Sequence, residues 1–532
     1  MSTQRLGILL LALVSTCGSA VAYEVDTENG MELYQKYCSQ CHGVEGNADG
    51  PAAQFVLPRP RPFAGNTTFK FRSTPSGSLP QSTDIYRVIW EGIPGTSMPA
   101  FSNVLSEEDC WDLTAVIWEW GGDDFQDPEQ VIDATKLDLM PDAEFAGEVW
   151  DILNELSSEP IPPSAESLKR GEEVYIEAQC AKCHGVQGFG DGESWIDTKD
   201  EWGEFILPAN LANPESFRNG RTPADIFRTI TTGLNGTPMP AYRDTYSVED
   251  RWHLVNYIIE MGPENPGEKS DAIVAYPAPD GVLPAENTDE AWADYPQARF
   301  PTFANVIEAP RLYWQAVEYV MAQASYNDLE LVLRFQWDDR GQSEGTDDVG
   351  DYKDRDGRIH HLTNHPDQFV IQWPLNKDPD GKRPYLMMGD NKRPAMLWWW
   401  RSDQEGVAEV EAKGFGNFSP QDDEPELVTD LQHADGRYSL MIRRTLATAG
   451  QVKDVEFAVD EFTPVAFSAW DGSRGEVGQR RALTSWYWLY LQPQMETGPA
   501  SLKSLGVAGV VLLGLLGVWV AVRRGRNGNG AA

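Results

Sequence analysis

The sequence predicts a multidomain chain: two all-α domains in tandem, then an all-β sandwich, then a single C-terminal transmembrane helix. Three observations carry that reading. The first half holds an internal duplication that pairs residues 30–121 with 171–262. From about residue 305 the pattern changes to short, partly alternating apolar runs separated by turn residues. Near the end, Leu505 to Val522 is an uncharged, largely apolar run followed by Arg523, Arg524 and Arg526. A run of that length spans a bilayer, and its basic flank stays on the cytoplasmic side. The helix is placed at 503–523.

The chain opens on a secretory leader, placed at 1–22. Arg5 is its charged flank, Leu6 to Val14 its apolar run and Ala20-Val21-Ala22 its small-residue cleavage site. Cys17 offers a lipoprotein alternative, but Val14-Ser15-Thr16 is a poor lipobox. The two helical domains then occupy 23–125 and 166–263, joined by a linker at 126–165. The leader and the basic stop together put the body of the chain on the periplasmic side of a bacterial cytoplasmic membrane.

The duplicated segments share more than spacing. Gly30 and Tyr34 match Gly171 and Tyr175; Leu57-Pro58 matches Leu207-Pro208; Phe71-Arg72 matches Phe217-Arg218. Asp84-Ile85-Tyr86-Arg87 matches Asp225-Ile226-Phe227-Arg228. Each domain reads as a helix running into a cysteine pair, a Pro- and Gly-rich excursion, a second helix, a Met loop and a terminal helix. On that last helix Trp111, Ala115 and Trp118, and in the second copy Trp252, Val255 and Ile259, recur at helical spacing.

The chemistry sits in Cys38-Ser39-Gln40-Cys41-His42 and Cys180-Ala181-Lys182-Cys183-His184. Two thiols three positions apart and followed at once by His form the attachment signature of c-type haem. The thiols form thioethers to the haem edge, and the imidazole sits under the iron. Zinc is the rival for paired CxxC motifs, but zinc knuckles need neither the trailing His nor a downstream Met. Met98 and Met239 lie 56 and 55 residues after His42 and His184, in matching Gly-Thr-x-Met-Pro-Ala loops. His42 with Met98, and His184 with Met239, are therefore the expected axial pairs, a ligation that suits electron transfer. Arg72 and Arg218 are either propionate partners or ordinary surface arginines. Four of the 6 cysteines are used by the two motifs. Cys110, on a terminal helix, reads as an inert packing residue. The whole pattern resembles the class I cytochrome c fold, twice, and implies two covalently bound haems c.

After a Pro-, Asp-, Glu- and Ala-rich stretch at 264–300, taken as a linker or an extended wrap, the sandwich is placed at 301–495. Its strand candidates are Leu329 to Trp337, Gln368 to Trp373, Tyr438 to Ile442 and Val455 to Val459. Asp347 to Asp356 reads as an exposed charged loop, with Asp354 to Gly357 as its turn. The segments Leu333 to Asp338, Pro384 to Gly389, Ala395 to Trp400, Val465 to Gly472 and Thr484-Ser485-Trp486 resemble the haem-binding γ subunit of ethylbenzene dehydrogenase and its relatives. That resemblance implies service to a periplasmic molybdenum enzyme of the dimethyl sulfoxide reductase superfamily. It also implies a haem b held between a Met and a Lys. Met388, or its neighbour Met387, matches the Met; Arg480-Arg481 stands where the Lys is expected, and Arg is a very poor iron ligand. His360, His361, His365 and His433 are alternative donors or ordinary surface residues. Trp398-Trp399-Trp400 reads either as a carbohydrate platform or as core plus interface on alternating strand faces.

The charge balance is 82 acidic against 43 basic residues, a net of −39. That argues against a nucleic-acid partner. It fits basic docking partners, a high-salt habitat or simply a solvated acidic surface. The expected role is a membrane-anchored electron-transfer subunit, not catalytic alone. It would serve a molybdopterin and Fe–S oxidoreductase of nitrite/nitrate type or a cytochrome b/Rieske complex, and a soluble cytochrome could be a further partner. The alternative is a redox-linked, carbohydrate-type ligand-binding module draining electrons from an associated oxidase.

Overall fold

The computed structural model describes residues 25–56, 58–63, 69–76, 80–121, 151–262, 267–345, 347–353, 359–376, 381–421, 427–447 and 454–494. The leader at 1–22 and the predicted membrane helix at 503–523 lie outside them. Among the described residues no helix is long and apolar enough to cross a membrane. The helices used below are α1 (Thr27–Tyr37), α2 (Ser39–His42), α3 (Ser82–Glu91), α4 (Glu107–Trp120), α5 (Ala165–Glu177), α6 (Ala181–His184), α7 (Pro223–Thr232) and α8 (Val248–Glu260). The chain divides into two compact units. The first comprises the residues up to Gln179, Thr198–Gly203 and Pro214–Ile259; the second comprises Cys180–Asp197, Glu204–Asn213 and the chain from Glu260 onward.

In the first unit the repeated glycines have a steric cause. A Cβ on Gly30 of α1 would lie 2.3 Å from the Asp112 carbonyl oxygen of α4, and one on Gly171 of α5 would lie 2.2 Å from that of His253 on α8. First and last helix of each repeat therefore cross with backbone nearly touching backbone. The repeated Asp of the Asp-Ile-aromatic-Arg motif also has a local cause. Asp84 and Asp225 are the third residues of α3 and α7, and their carboxylates close capping boxes with Gln81 and Thr222. Stacked rings recur too: Tyr86 on Trp111 and Phe227 on Trp252, each at 4.3 Å between centroids.

The core of the first repeat joins Tyr34, Phe63, Ile85, Ile89, Phe101, Leu105, Cys110, Leu113 and Ile117. Cys110 is fully buried there. The predicted apolar face of α4 is shifted: Trp111, Ala115 and Trp118 are half-buried, and Cys110, Leu113, Val116 and Ile117 turn inward. Large rings can stack at a boundary, whereas the close glycine crossing leaves room only for smaller side chains beneath it. In the second repeat Trp252 and Val255 are buried but Ile259 is exposed. Arg251, which takes the place of Cys110, is buried and donates to Thr231 Oγ1 at 2.6 Å and Glu155 Oε2 at 2.5 Å.

The second unit holds a large mixed sheet. Its path runs Phe418–Pro420, Val407–Ala412, Ala395–Arg401, Gln368–Pro374, Phe462–Trp470, Tyr487–Leu491, Ala272–Pro277, Tyr319–Tyr326, Glu330–Asp338, Arg437–Thr445 and Val428–Ala434. Strand Phe462–Trp470 joins the two halves: residues 462–465 pair with Tyr487–Tyr490 and residues 466–470 with Gln368–Gln372. Both halves line one core, where Trp337 stacks on Phe369 at 4.3 Å and lies 5.7 Å from Trp400. This is a sandwich-like packing made from one continuous sheet.

Three expectations change here. The stretch 264–300 supplies strands Glu268–Lys269, Ala272–Pro277 and Ala298–Pro301, the second of them central and parallel to both neighbours. Buried Ile273 and Ala275 were hidden in acidic, proline-rich surroundings. Asp348–Lys353 is a strand paired with Ile359–Thr363, although Asp354 to Gly357 lies outside the described residues. Val455 and Phe457 are buried, but their segment forms no strand: it makes an isolated bridge from Val459 to Leu491 and a bond from Phe457 N to Leu446 O at 3.0 Å. Side-chain alternation there fills a core without a hydrogen-bonded ladder.

Gly30→Ala and Gly171→Ala each force a methyl group into a carbonyl. Each substitution is expected to cost about 1–3 kcal/mol, read as a lowered midpoint in thermal or denaturant unfolding.

Candidate haem-binding sites

The first cysteine motif begins where α1 ends. Cys38 N donates to Tyr34 O at 2.8 Å, and His42 N donates to Cys38 O at 2.9 Å, which wraps the motif into the single turn of α2. Cys38 and Cys41 are half-buried free thiols. Gly43 then turns the chain at φ +82°, where a Cβ would strike Asp49. The second motif repeats this geometry. His184 N donates to Cys180 O at 2.9 Å, Cys180 and Cys183 are half-buried, and Gly185 at φ +79° packs on Asp191. After each His the loop closes in the same way, Ala48 N on His42 O at 2.7 Å and Gly190 N on His184 O at 2.8 Å.

Each imidazole is held by one backbone carbonyl. His42 Nδ1 lies 2.9 Å from Arg61 O, and His184 Nδ1 lies 3.0 Å from Ala209 O. A carbonyl only accepts, so Nδ1 carries the hydrogen and the lone pair is at Nε2. Burial pushes both imidazoles below the ordinary histidine range, against the opposing effect of that hydrogen bond. Neutral imidazoles with a free Nε2 and thiols one turn away fit a c-type haem. The two carbonyl partners escaped sequence reasoning, since a backbone acceptor leaves no residue-type signal.

The methionine loops are duplicates at atomic detail. Ile93 N donates to Met98 O at 3.0 Å and Leu234 N to Met239 O at 3.1 Å. Met98 N and Met239 N donate to Thr96 Oγ1 and Thr237 Oγ1 at 3.1 and 3.2 Å. Met98 packs against the first repeat's core, together with Tyr37 and Cys38. Met239 lies in the first unit, and Cys180, Cys183 and His184 lie in the second.

Arg72 is fully buried. Its Nε donates to Pro75 O at 3.0 Å and its Nη2 to Thr232 O at 2.8 Å, while Nη1 has no partner among the described residues. Burial lowers its pKa to about 10, so it stays charged at neutral pH. A buried cation with an idle donor suits a haem propionate. Arg218 is half-buried. Sequence reasoning missed a neighbouring basic cluster: Arg61 forms an ion pair with Glu201 and lies with Arg59 over the Trp202 ring. Its signal was the run Pro58-Arg59-Pro60-Arg61-Pro62.

The b-type site implied by the resemblance is assembled in outline, and its donors do not fit a haem. Met388 is buried at φ +68° among Val370, Ala395, Leu397 and Trp470. It is Met387 whose Sδ lies 3.8 Å from Arg481 Nη2. Arg481 is fully buried, donates from Nη1 to Gln479 Oε1 at 2.9 Å, and lies between Phe415 and Trp470 at 4.9 and 5.5 Å. Its pKa, lowered by burial to about 10, leaves a protonated guanidinium with no lone pair to give a metal. The four histidines are engaged elsewhere. His360 stacks on Tyr352, His361 bonds Asp351, His365 meets Thr363 and His433 meets the Asp339 carbonyl. Trp398 and Trp400 are in the core and Trp399 faces Trp470 on the other side, so the triplet is no exposed platform.

The two repeats are c-type cytochrome domains. Residues 25–117 and 166–258 each match the family described as cytochrome c oxidase, cbb3-type, subunit III. A protein of Haloferax mediterranei named as a respiratory nitrate reductase haem subunit is 26% identical over 236 residues, 44% of this chain and 77% of that protein. The dimethylsulfide dehydrogenase γ subunit of Rhodovulum sulfidophilum is 24% identical over 239 residues, 42% of this chain and 81% of that one. A chain of the Kuenenia stuttgartiensis reducing HAO-like protein complex is 34% identical, with 45% of this chain and 98% of that chain covered and a TM-score of 0.38.

Met98→Ala and Met239→Ala each remove a soft distal donor. Each is expected to lower one haem's midpoint potential by on the order of 100 mV in a redox titration. Arg72→Gln removes a buried positive charge and is expected to lower one potential by roughly tens of millivolts, with both haems still attached.

Proposed function

We propose that the chain is a dihaem electron-transfer subunit of a larger oxidoreductase complex and is not catalytic alone. The observation that carries this is the duplicated set of CxxCH turn, carbonyl-held imidazole and methionine loop. Cys38 and Cys41, and Cys180 and Cys183, would hold the two haems covalently. His42 and Met98, and His184 and Met239, would fill both axial positions of each and leave no site for substrate. Haem bound in this way supplies a one-electron carrier. The chain's own residues set its conditions: Arg61 O and Ala209 O fix the imidazole tautomers, Thr96 and Thr237 hold the methionine loops, and Arg72 offers a charge to a propionate.

The relatives' names and the resemblance of the β region support a molybdopterin oxidoreductase of nitrite or nitrate type, or a cytochrome b/Rieske complex exchanging electrons with one, as the partner. In this reading the β unit docks to that partner. In the same reading the leader directs export and is removed, and the segment 503–523 anchors the chain on the periplasmic side of the cytoplasmic membrane.

A pyridine haemochrome assay of the purified full chain is expected to give two c-type haems and no b-type haem. Affinity purification from the native membrane is expected to bring down a large subunit with molybdenum and Fe–S absorption. Fewer than two haems c would sink the electron-carrier reading, and a chain that purifies alone would sink the partner assignment.

A further inference from the structure

In the second unit, the ends of three strands bring three carboxylates together. Asp339 follows Glu330–Asp338, Asp367 precedes Gln368–Pro374 and Asp471 follows Phe462–Trp470. One oxygen from each lies within 4.8 Å of the others. Their exposures are 3%, 0% and 4%, so water does not solvate the charges.

The hydrogen bonds leave this cluster unbalanced. Asp367 accepts from Ser343 N at 2.7 Å, Gly472 N at 2.8 Å and Tyr438 Oη at 2.9 Å. Asp471 accepts from Ser473 Oγ at 2.5 Å and Arg474 N at 3.2 Å. Asp339 has only a long bond from Gly341 N at 3.3 Å, and its Oδ2 is buried with no partner among the described residues. The buried hydroxyl of Ser343 has none either. Among the described residues the cluster has one ion pair, and it is long. Arg474 Nε is 4.0 Å from Asp471 Oδ2, and its guanidinium lies over the Trp195 ring and donates to Gly190 O at 2.8 Å. Glu476 is buried beside them and accepts from Ala316 N and Asp471 N. Unpaired buried carboxylates are costly.

We propose that Asp339, Asp367 and Asp471 hold a hard divalent cation of the calcium type. Three oxygens no more than 4.8 Å apart all lie within about 2.8 Å of one point, so a small inward movement brings them to the roughly 2.3–2.6 Å of calcium ligation. A donor set made only of oxygen excludes the softer thiolate- and imidazole-seeking metals. Such an ion ties together strand ends that are far apart in sequence. It also stiffens the seat of the loop after the second CxxCH motif. Asp339 N donates to Gly436 O at 2.7 Å, and Gly436 packs under the Phe189 ring. Arg474 holds Gly190, and Arg340 holds the Asp191 carbonyl.

The test uses the purified full chain with its haems, analysed for metal before and after dialysis against EGTA. Roughly one calcium per chain is expected before dialysis, with a Tm several degrees lower after it. CaCl2 should restore the Tm and MgCl2 should restore less. Asp339→Asn keeps the side-chain shape and is expected to abolish the calcium-dependent shift while both haems stay attached. A parent chain without calcium, whose Tm ignores both EGTA and CaCl2, overturns the proposal. So does an Asp339→Asn chain that responds to calcium as the parent does. Should that variant fail to fold, the comparison on the parent chain decides alone. Haem content is a separate readout and does not depend on this site.

Discussion

The haem-binding half of the chain depends on a contact that only glycine permits. Gly30 and Gly171 each bring the first helix of a repeat onto a carbonyl of the last helix, at a distance no Cβ tolerates. This crossing sets how closely α1, which runs directly into Cys38 and its turn, lies on α4. The same logic explains Gly43 and Gly185, which turn the chain away directly after the histidines. Backbone then approaches the imidazoles, and Arg61 O and Ala209 O set their tautomers. A chain that places its haem ligands through backbone contacts can vary many side chains without losing the site. Cys110 in one repeat and Arg251 in the other show that freedom in the core.

The β unit solves a different problem. It has to close a sandwich around large aromatic rings while receiving a haem-bearing loop. One strand, Phe462–Trp470, serves both halves of the sheet, so the core is continuous. Within the same unit the segment after the second CxxCH motif rests on that framework. Trp195 and Phe205 pack with Leu362 and Trp314, and Arg474 crosses the Trp195 ring. The segment after the second CxxCH motif is thereby packed against the β framework. This arrangement suits a carrier whose surroundings change little as it gains or loses an electron.

Arg481 sits where the resemblance implies a metal-ligating Lys, and its chemistry is that of a packed cation. The resemblance led to Met387 or Met388 and to the Arg480-Arg481 pair, and the fold brings Met387 and Arg481 within 3.8 Å. The guanidinium fills the place between Phe415 and Trp470 and stays protonated, so it replaces ligation by packing and a cation–π contact.

The sequence alone determined the two haem motifs, the duplicated methionine loops and the change from helical to β pattern. These are written in residue types at short range, where covalent attachment, iron ligation and turn chemistry each demand particular side chains. Three strands were legible for the same reason: Glu330–Asp338, Gln368–Pro374 and Arg437–Thr445 alternate or run apolar over their own length. Only the tertiary structure decided what depends on residues far apart in the chain. Composition hid strand Ala272–Pro277, because its partners at Tyr319–Tyr326 and Tyr487–Leu491 create its burial. Periodicity placed the core face of α4 about one position off, because the close crossing with α1 selects which side chains fit. Arg72 read equally as surface or propionate partner until Thr232 O, 160 residues away, was found to hold it in the interior. The meeting of Asp339, Asp367 and Asp471 left no trace in sequence, since the pairing of Gln368 with Trp470 joins the last two and packing of Trp337 on Phe369 across the core brings in the first.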